Sequence, residues 1–312
     1  MPCTGRPLAR VVSSWVVSPL LGASIAYIVY KCIRKFVYSS SNPGQAASTA
    51  APILVFAGVT AFSFSSLFTA PNALLRALAL SLGAGIASAV AMSAVIKRQM
   101  GELLGEFCEI PKQPGEPKPE KGRGPMGTQL RIVYGVFGYL QVLSACFMSF
   151  AHGANDVANA IGPISAALAI LASSSSSIIS SSLAAAPVSA GVATQVLIWG
   201  GFGIVAGLII WGYRVIATIG NRITELTPTR GFAAEFSAAT VVVVASRLGL
   251  PISATHTLVG AVMGVGLARG IGSVRGDVVK EIVASWLVTI PIGAALSVIY
   301  AFLFLRFVPG FM

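Results

Sequence analysis

The chain has 312 residues; 55% are hydrophobic and only 10% are charged, against about 25% in ordinary soluble domains. With 21 Lys and Arg against 10 Asp and Glu, the formal net charge is +11, and the mean hydropathy is +0.83. These values exclude a water-soluble globule, and also a disordered chain, which needs low hydrophobicity and high charge. A nucleic-acid binder is excluded as well, because the bases punctuate apolar runs instead of clustering on a solvated face. What remains is an all-α polytopic protein whose solvent is the lipid bilayer.

A spanning helix needs about 20 mostly apolar residues. In chain order the first window is Val11 to Tyr30, closed by Lys31, Arg34 and Lys35. It is long enough to span, and no small-residue cleavage site of a secretory signal follows it. Ala51 to Thr69 and Ala73 to Ile96 come next. From Lys97 to Arg131 the composition inverts, with Glu102, Glu106, Glu109, Glu116 and Glu120, seven bases, and Pro111, Pro114, Pro117, Pro119 and Pro125. This predicts a solvated linker between two membrane halves. Cys3, Cys32, Cys108 and Cys146 are scattered without a Cys-x-x-Cys pair, so no disulfide framework or zinc site is expected.

Apolar sequence resumes from Ile132 to Ala151, then gives way to the polar string His152 to Asn159 and a short piece, Ile164 to Ala172. The serines at 173–177 and 180–182 read as a low-complexity loop. Val196 to Ile219 is a full span. Phe232 to Leu248 is apolar but carries Glu235, and after Gly249-Leu250-Pro251 comes a second short piece, Leu258 to Ala268. Ile282 to Leu305 is the last span. Paired short segments behind polar breaks predict broken or re-entrant helices, which are tolerated at membrane depth only where they line protein or a cavity, and which point to a transporter's substrate site. Ser14-Trp15 and Ser285-Trp286 open similar stretches, with Gly22 meeting Gly293 and Phe36 meeting Phe307. The first and last spans therefore read as the closing helices of two equivalent repeats.

Asp156 is a carboxylate in apolar surroundings and should have a partner. Asn155, Asp156 and Asn159 offer hard oxygen ligands suited to Na⁺ or a proton relay, with Asp156 and Asn155 as the candidate Na⁺ ligands. Gly162 and Pro163 permit a new helix start, and a helix N-terminus favours an anion. Pro251 ends one helix, and Ser253, Thr255 and Thr257 stand before the next, where they can cap it or donate to phosphate oxygens. His256 can donate to an anion or carry a proton. Glu235 reads either as a cation ligand or proton carrier in a cavity, or as a surface residue near Arg230. Gly260-x-x-x-Gly264 and Gly203-x-x-x-Gly207 predict close helix packing. His152, Asp156 and His256 form no nucleophile–base–orienter set, so no catalytic residues and no enzyme are expected.

The string Gly153-Ala154-Asn155-Asp156-Val157-Ala158-Asn159-Ala160 resembles the signature of the inorganic phosphate transporter (PiT) family. Pro251-Ile252-Ser253-Ala254-Thr255-His256 resembles that family's second signature. The wording of Thr227 to Glu235 and of Ser285 to Pro291 is similar to the plant plastid low-affinity members. The resemblance implies a PiT-type inverted-repeat transporter moving inorganic phosphate with a coupling cation, H⁺ or Na⁺. It further implies no cofactor beyond that ion, a homodimer, and a place in the chloroplast or plastid inner envelope. Asn155, Asn159, Gly162, Ser253, Thr255, His256 and Thr257 would hold phosphate, and Asp156, Asn155 and Glu235 the cation. The family carries each signature twice and this chain carries each once. The expectation is therefore a C-terminal portion lacking most of the first repeat: residues 1–38 its last helix, 39–96 two central helices, 97–131 the linker, and 132–312 the second repeat. A truncated, non-transporting scaffold or regulatory half-protein is the alternative.

Overall fold

The structure is a computed structural model describing residues 6–68, 71–109, 127–175, 190–250 and 252–307, and among these the regular elements are all helical. Helix α1 (Arg6–Ile33) runs into a π-helical turn, Arg34–Tyr38. α2 (Pro43–Leu67) starts on a proline, whose missing N–H costs nothing in a first turn. α3 is Leu74–Glu109 and α4 is Thr128–Ser175. α5 (Ala190–Gly207) leads through a π-helical turn into α6 (Tyr213–Arg222). α7 (Pro228–Arg247), α8 (Ala254–Arg269) and α9 (Gly276–Phe307) complete the described chain.

Six described stretches are long and apolar enough to cross a bilayer: Val11–Tyr38, Pro43–Leu67, Leu74–Gln99, Thr128–Leu168, Thr194–Gly220 and Gly276–Phe307. They are the six full windows of the sequence, with shifted ends. α7 and α8 are not among them. At 16 residues, α8 rises about 24 Å, short of the ~30 Å hydrocarbon core. Both open ends of the α7–α8 pair lie at one face. Glu225 Oε2 is 3.4 Å from Arg230 Nη1 at the start of α7 and 3.6 Å from Arg269 Nη1 at the end of α8. On the same face Thr224 Oγ1 donates to the Ser273 carbonyl (2.9 Å) and the Arg275 N–H to the Ile223 carbonyl (3.1 Å). α7–α8 is thus a re-entrant hairpin, entering and leaving on one side, as the second polar break predicted.

Protein shields this hairpin. Phe137 and Leu140 of α4, Phe232 and Val242 of α7, and Val262 and Val265 of α8 are almost fully buried. On the other flank α1 lies against α8 with almost no spacing. A Cβ on Gly260 would strike the Pro19 backbone, one on Gly264 the Ala23 backbone, and one on Gly22 the Thr257 carbonyl. The Gly260–Gly264 expectation holds, since small residues let the two backbones approach. Gly203 and Gly207 instead face open space, and α5 meets α4 at Gly200, whose Cβ would strike Ile161.

The first break differs from expectation. α4 is one 48-residue helix running through Gly162 and Pro163. The amide of Gly162 therefore lies inside a helix and is not one of the free N–H groups of a new N-terminus. Proline is tolerated inside membrane helices because neighbouring groups and local adjustments re-satisfy the freed carbonyl. α3 likewise runs through Lys97 and Arg98 to Glu109. Residues 110–126 of the expected linker, residues 176–182 of the serine tract, and Pro251 lie outside the described residues.

Candidate functional site

α4 and α7 run parallel, because their contacts advance together along both. A Cβ on Gly231 would strike the Gln141 amide. Ser144 Oγ lies 2.8 Å from Glu235 Oε2 and 2.9 Å from the Gln141 carbonyl, and Ser246 Oγ lies 3.4 Å from Asn155 Oδ1. α7 then ends in a Schellman-type turn. The Leu250 N–H bonds the Ala245 carbonyl (2.9 Å) and the Gly249 N–H bonds the Ser246 carbonyl (3.2 Å). Gly249 has φ +64°, the left-handed conformation that glycine adopts without a Cβ penalty. Arg247, in the last turn, donates to the Phe68 carbonyl at the end of α2 (3.3 Å). The hairpin tip is thereby held against both α4 and α2.

At this tip the two signature strings meet. The Asn155 amide nitrogen donates to the Ile252 carbonyl at 3.2 Å and to Asp156 Oδ1 at 2.9 Å, while its oxygen accepts from Ser246. The other Asp156 oxygen is 2.5 Å from His152 Nε2, one turn back on α4; the two side chains are 30% and 40% exposed. The carboxylate thus has the partner that burial demands and still opens toward solvent. Asn159 falls one turn further along α4, and its side chain lies outside the described residues.

Ser253 caps α8. Its Oγ accepts the His256 N–H (3.2 Å), and its carbonyl accepts both the N–H (3.0 Å) and the Oγ1 (2.8 Å) of Thr257. Like every helix start, the first turn of α8 presents N–H groups that have no intrahelical acceptor. Thr255 is exposed, whereas Thr257 is completely buried with its carbonyl against Gly22. Of the three predicted hydroxyls, then, Ser253 and Thr255 face the tip and Thr257 is locked into packing. His256 is turned away, stacked on Trp286.

Glu235 does not join Asp156. Its partner is Ser144, and about 18 Å of helix rise separates Ser144 from Asp156 along α4. Nor is it the surface residue near Arg230, whose guanidinium serves Glu225 and the Tyr30 hydroxyl instead. The sequence reading gave no site role to Ser144, Ser246, the Ile252 carbonyl or His152. Only His152 left a signal: the spacing from His152 to Asp156 places both on one helix face once the string is read as helix. Among the described residues no three of His, Cys, Asp and Glu form a metal cluster; a hard cation here would depend on the oxygens of Asp156 and Asn155.

The chain is similar to known proteins along most of its length. The phosphate transporter family matches residues 4–297. The chain is 59% identical over 305 residues to the chloroplastic inorganic phosphate transporter 2-1 of Arabidopsis thaliana, covering 96% of this chain and 50% of that protein. A putative phosphate permease of Chlamydia muridarum is 38% identical over 302 residues, covering 96% of this chain and 67% of its own length. The solved structure of a sodium-dependent phosphate transporter superposes with a TM-score of 0.70 at 33% identity, covering 92% of this chain and 64% of that one. The chain therefore spans half the length of its Arabidopsis relative and about two thirds of the other two. These relatives are transporters and not enzymes, and with its membrane-length helices and re-entrant hairpin this integral membrane chain belongs to the phosphate transporter family.

Proposed function

We propose that this chain moves inorganic phosphate across a membrane together with a cation, H⁺ or Na⁺. The observation that carries this reading is the Asn155 amide, which ties the carboxylate of Asp156 to the hairpin tip where α8 begins. One side of that junction offers an anion the hydroxyls of Ser253 and Thr255, and the N–H groups and positive end of a helix start. The other side offers a cation the oxygens of Asp156 and Asn155, and a proton His152. Phosphate and cation then bind as neighbours and neutralise one another, which makes co-transport cheaper than moving either charge alone. Asn159 follows one turn further along α4, and Glu235 serves as a second acidic station between α4 and α7, nearer the open end of the hairpin. Proximity to the chloroplastic relative supports the plastid inner envelope as the membrane. The exposed faces of α5 and α9 are suited to lipid and to a second copy in a homodimer.

The test is accumulation of radiolabelled phosphate in proteoliposomes holding this chain, under an imposed H⁺ or Na⁺ gradient. Accumulation driven by one gradient supports symport and names the ion. Assembly without flux under either gradient favours a non-transporting scaffold.

A further inference from the structure

His256 lies beside the hairpin tip but faces away from it. Its ring stacks on Trp286 of α9, with centroids 3.7 Å apart and planes 27° apart. It also lies near the backbone of Trp15 in α1. Nδ1 is buried and has no hydrogen-bond partner. One ring nitrogen is thus closed off from any ligand and one ring face is covered by Trp286, whereas a phosphate contact needs an N–H aimed at the anion. The residue's backbone N–H is meanwhile held by Ser253 Oγ.

On α9, Trp286 ends a row with Val278 and Ile282 that packs on the core; every residue from Leu287 to Phe307 is exposed. The stack therefore marks the point where α9 leaves the body. Both tryptophans belong to Ser-Trp pairs, Ser14-Trp15 and Ser285-Trp286.

We infer that His256 is a positioning residue: its stack on Trp286 of α9 docks the first turn of α8, and so sets where Ser253 and Thr255 stand, without touching phosphate. The inference rests on reading the hairpin tip as the phosphate site, but its geometry can be tested without transport.

The test is a double-substitution cycle on the whole chain in detergent, read as the midpoint of thermal unfolding. H256A and W286A each lower the midpoint, and together they lower it no further than the larger single loss, because each removes the same stack. H256F, which keeps a stackable ring, stays near wild type. Additive losses, or H256F falling as far as H256A, overturn the inference. Phosphate uptake in proteoliposomes gives a second readout. H256F keeps the wild-type half-saturating concentration, while H256A and W286A shift it in the same direction by the same factor. A rise of about tenfold for H256F with W286A unchanged makes His256 a ligand and overturns the inference. A wild-type chain that moves no phosphate defeats the transport reading alone, and the unfolding cycle still decides the role of His256.

Discussion

Asp156 concentrates the chemistry at the scale of single residues. A carboxylate at mid-membrane costs at least ~2.5 kcal/mol on insertion scales, and His152 and Asn155 offset that cost by occupying its two oxygens. Asn155 makes three contacts with one side chain, to Asp156, Ile252 and Ser246. Asn155→Ala strands their partners, and the account predicts a loss of about 1–3 kcal/mol in stability, read as unfolding in detergent, together with loss of uptake. Ser253→Ala removes the α8 cap, worth about 1 kcal/mol, and raises the phosphate concentration needed for half-maximal uptake. An unchanged concentration dependence would reduce Ser253 to capping alone. Asp156, Asn155 and Ser253 were legible in the sequence because polar residues flanked by small ones are conspicuous in an apolar chain. Ser144 and Ser246 were not, since a serine inside an apolar helix looks the same whether it bonds its own backbone or a partner helix. His256 was legible as chemistry and misread as geometry: its stacking partner lies 30 residues away, on another helix.

Helix packing divides the two Gly-x-x-x-Gly spacings, although they look alike in sequence. Gly264 lies against the Ala23 backbone and Gly203 against nothing. Backbone cannot give way as a flexible side chain does, so Gly264→Val should cost about 1–3 kcal/mol or more through overpacking, and Gly203→Val should leave the unfolding midpoint unchanged. Equal effects at the two positions would contradict the α1–α8 packing. The α4–α7 contact makes a separate prediction. Glu235→Gln keeps a hydrogen bond to Ser144 but removes the charge, so uptake falls while stability holds; a loss of both would assign Glu235 to structure alone. Six spanning windows and the second break were readable because apolar length, and Gly249 beside Pro251, are local signals. The continuity of α4 was not, because Gly162-Pro163 is a helix breaker in water and a tolerated interruption within a packed membrane bundle.

For the molecule as a whole, the opposed ends of the hairpin organise the function. Glu225 brackets its open end between Arg230 and Arg269 at one face, while its closed tip meets α4 and α2 at depth. On the proposed reading, an anion site built on a helix start and a cation site built on a helix-borne carboxylate stand side by side. The low acid count of the chain makes sense in this frame: few carboxylates are affordable within lipid, and Asp156 and Glu235 are each met by a hydrogen-bonding partner. The measurement that bears most directly on this account is gradient-driven accumulation of radiolabelled phosphate by Asp156→Asn beside wild type, at matched protein in proteoliposomes. The account predicts accumulation by wild type and none by Asp156→Asn, with both proteins folded. Accumulation by Asp156→Asn at the wild-type rate would contradict it.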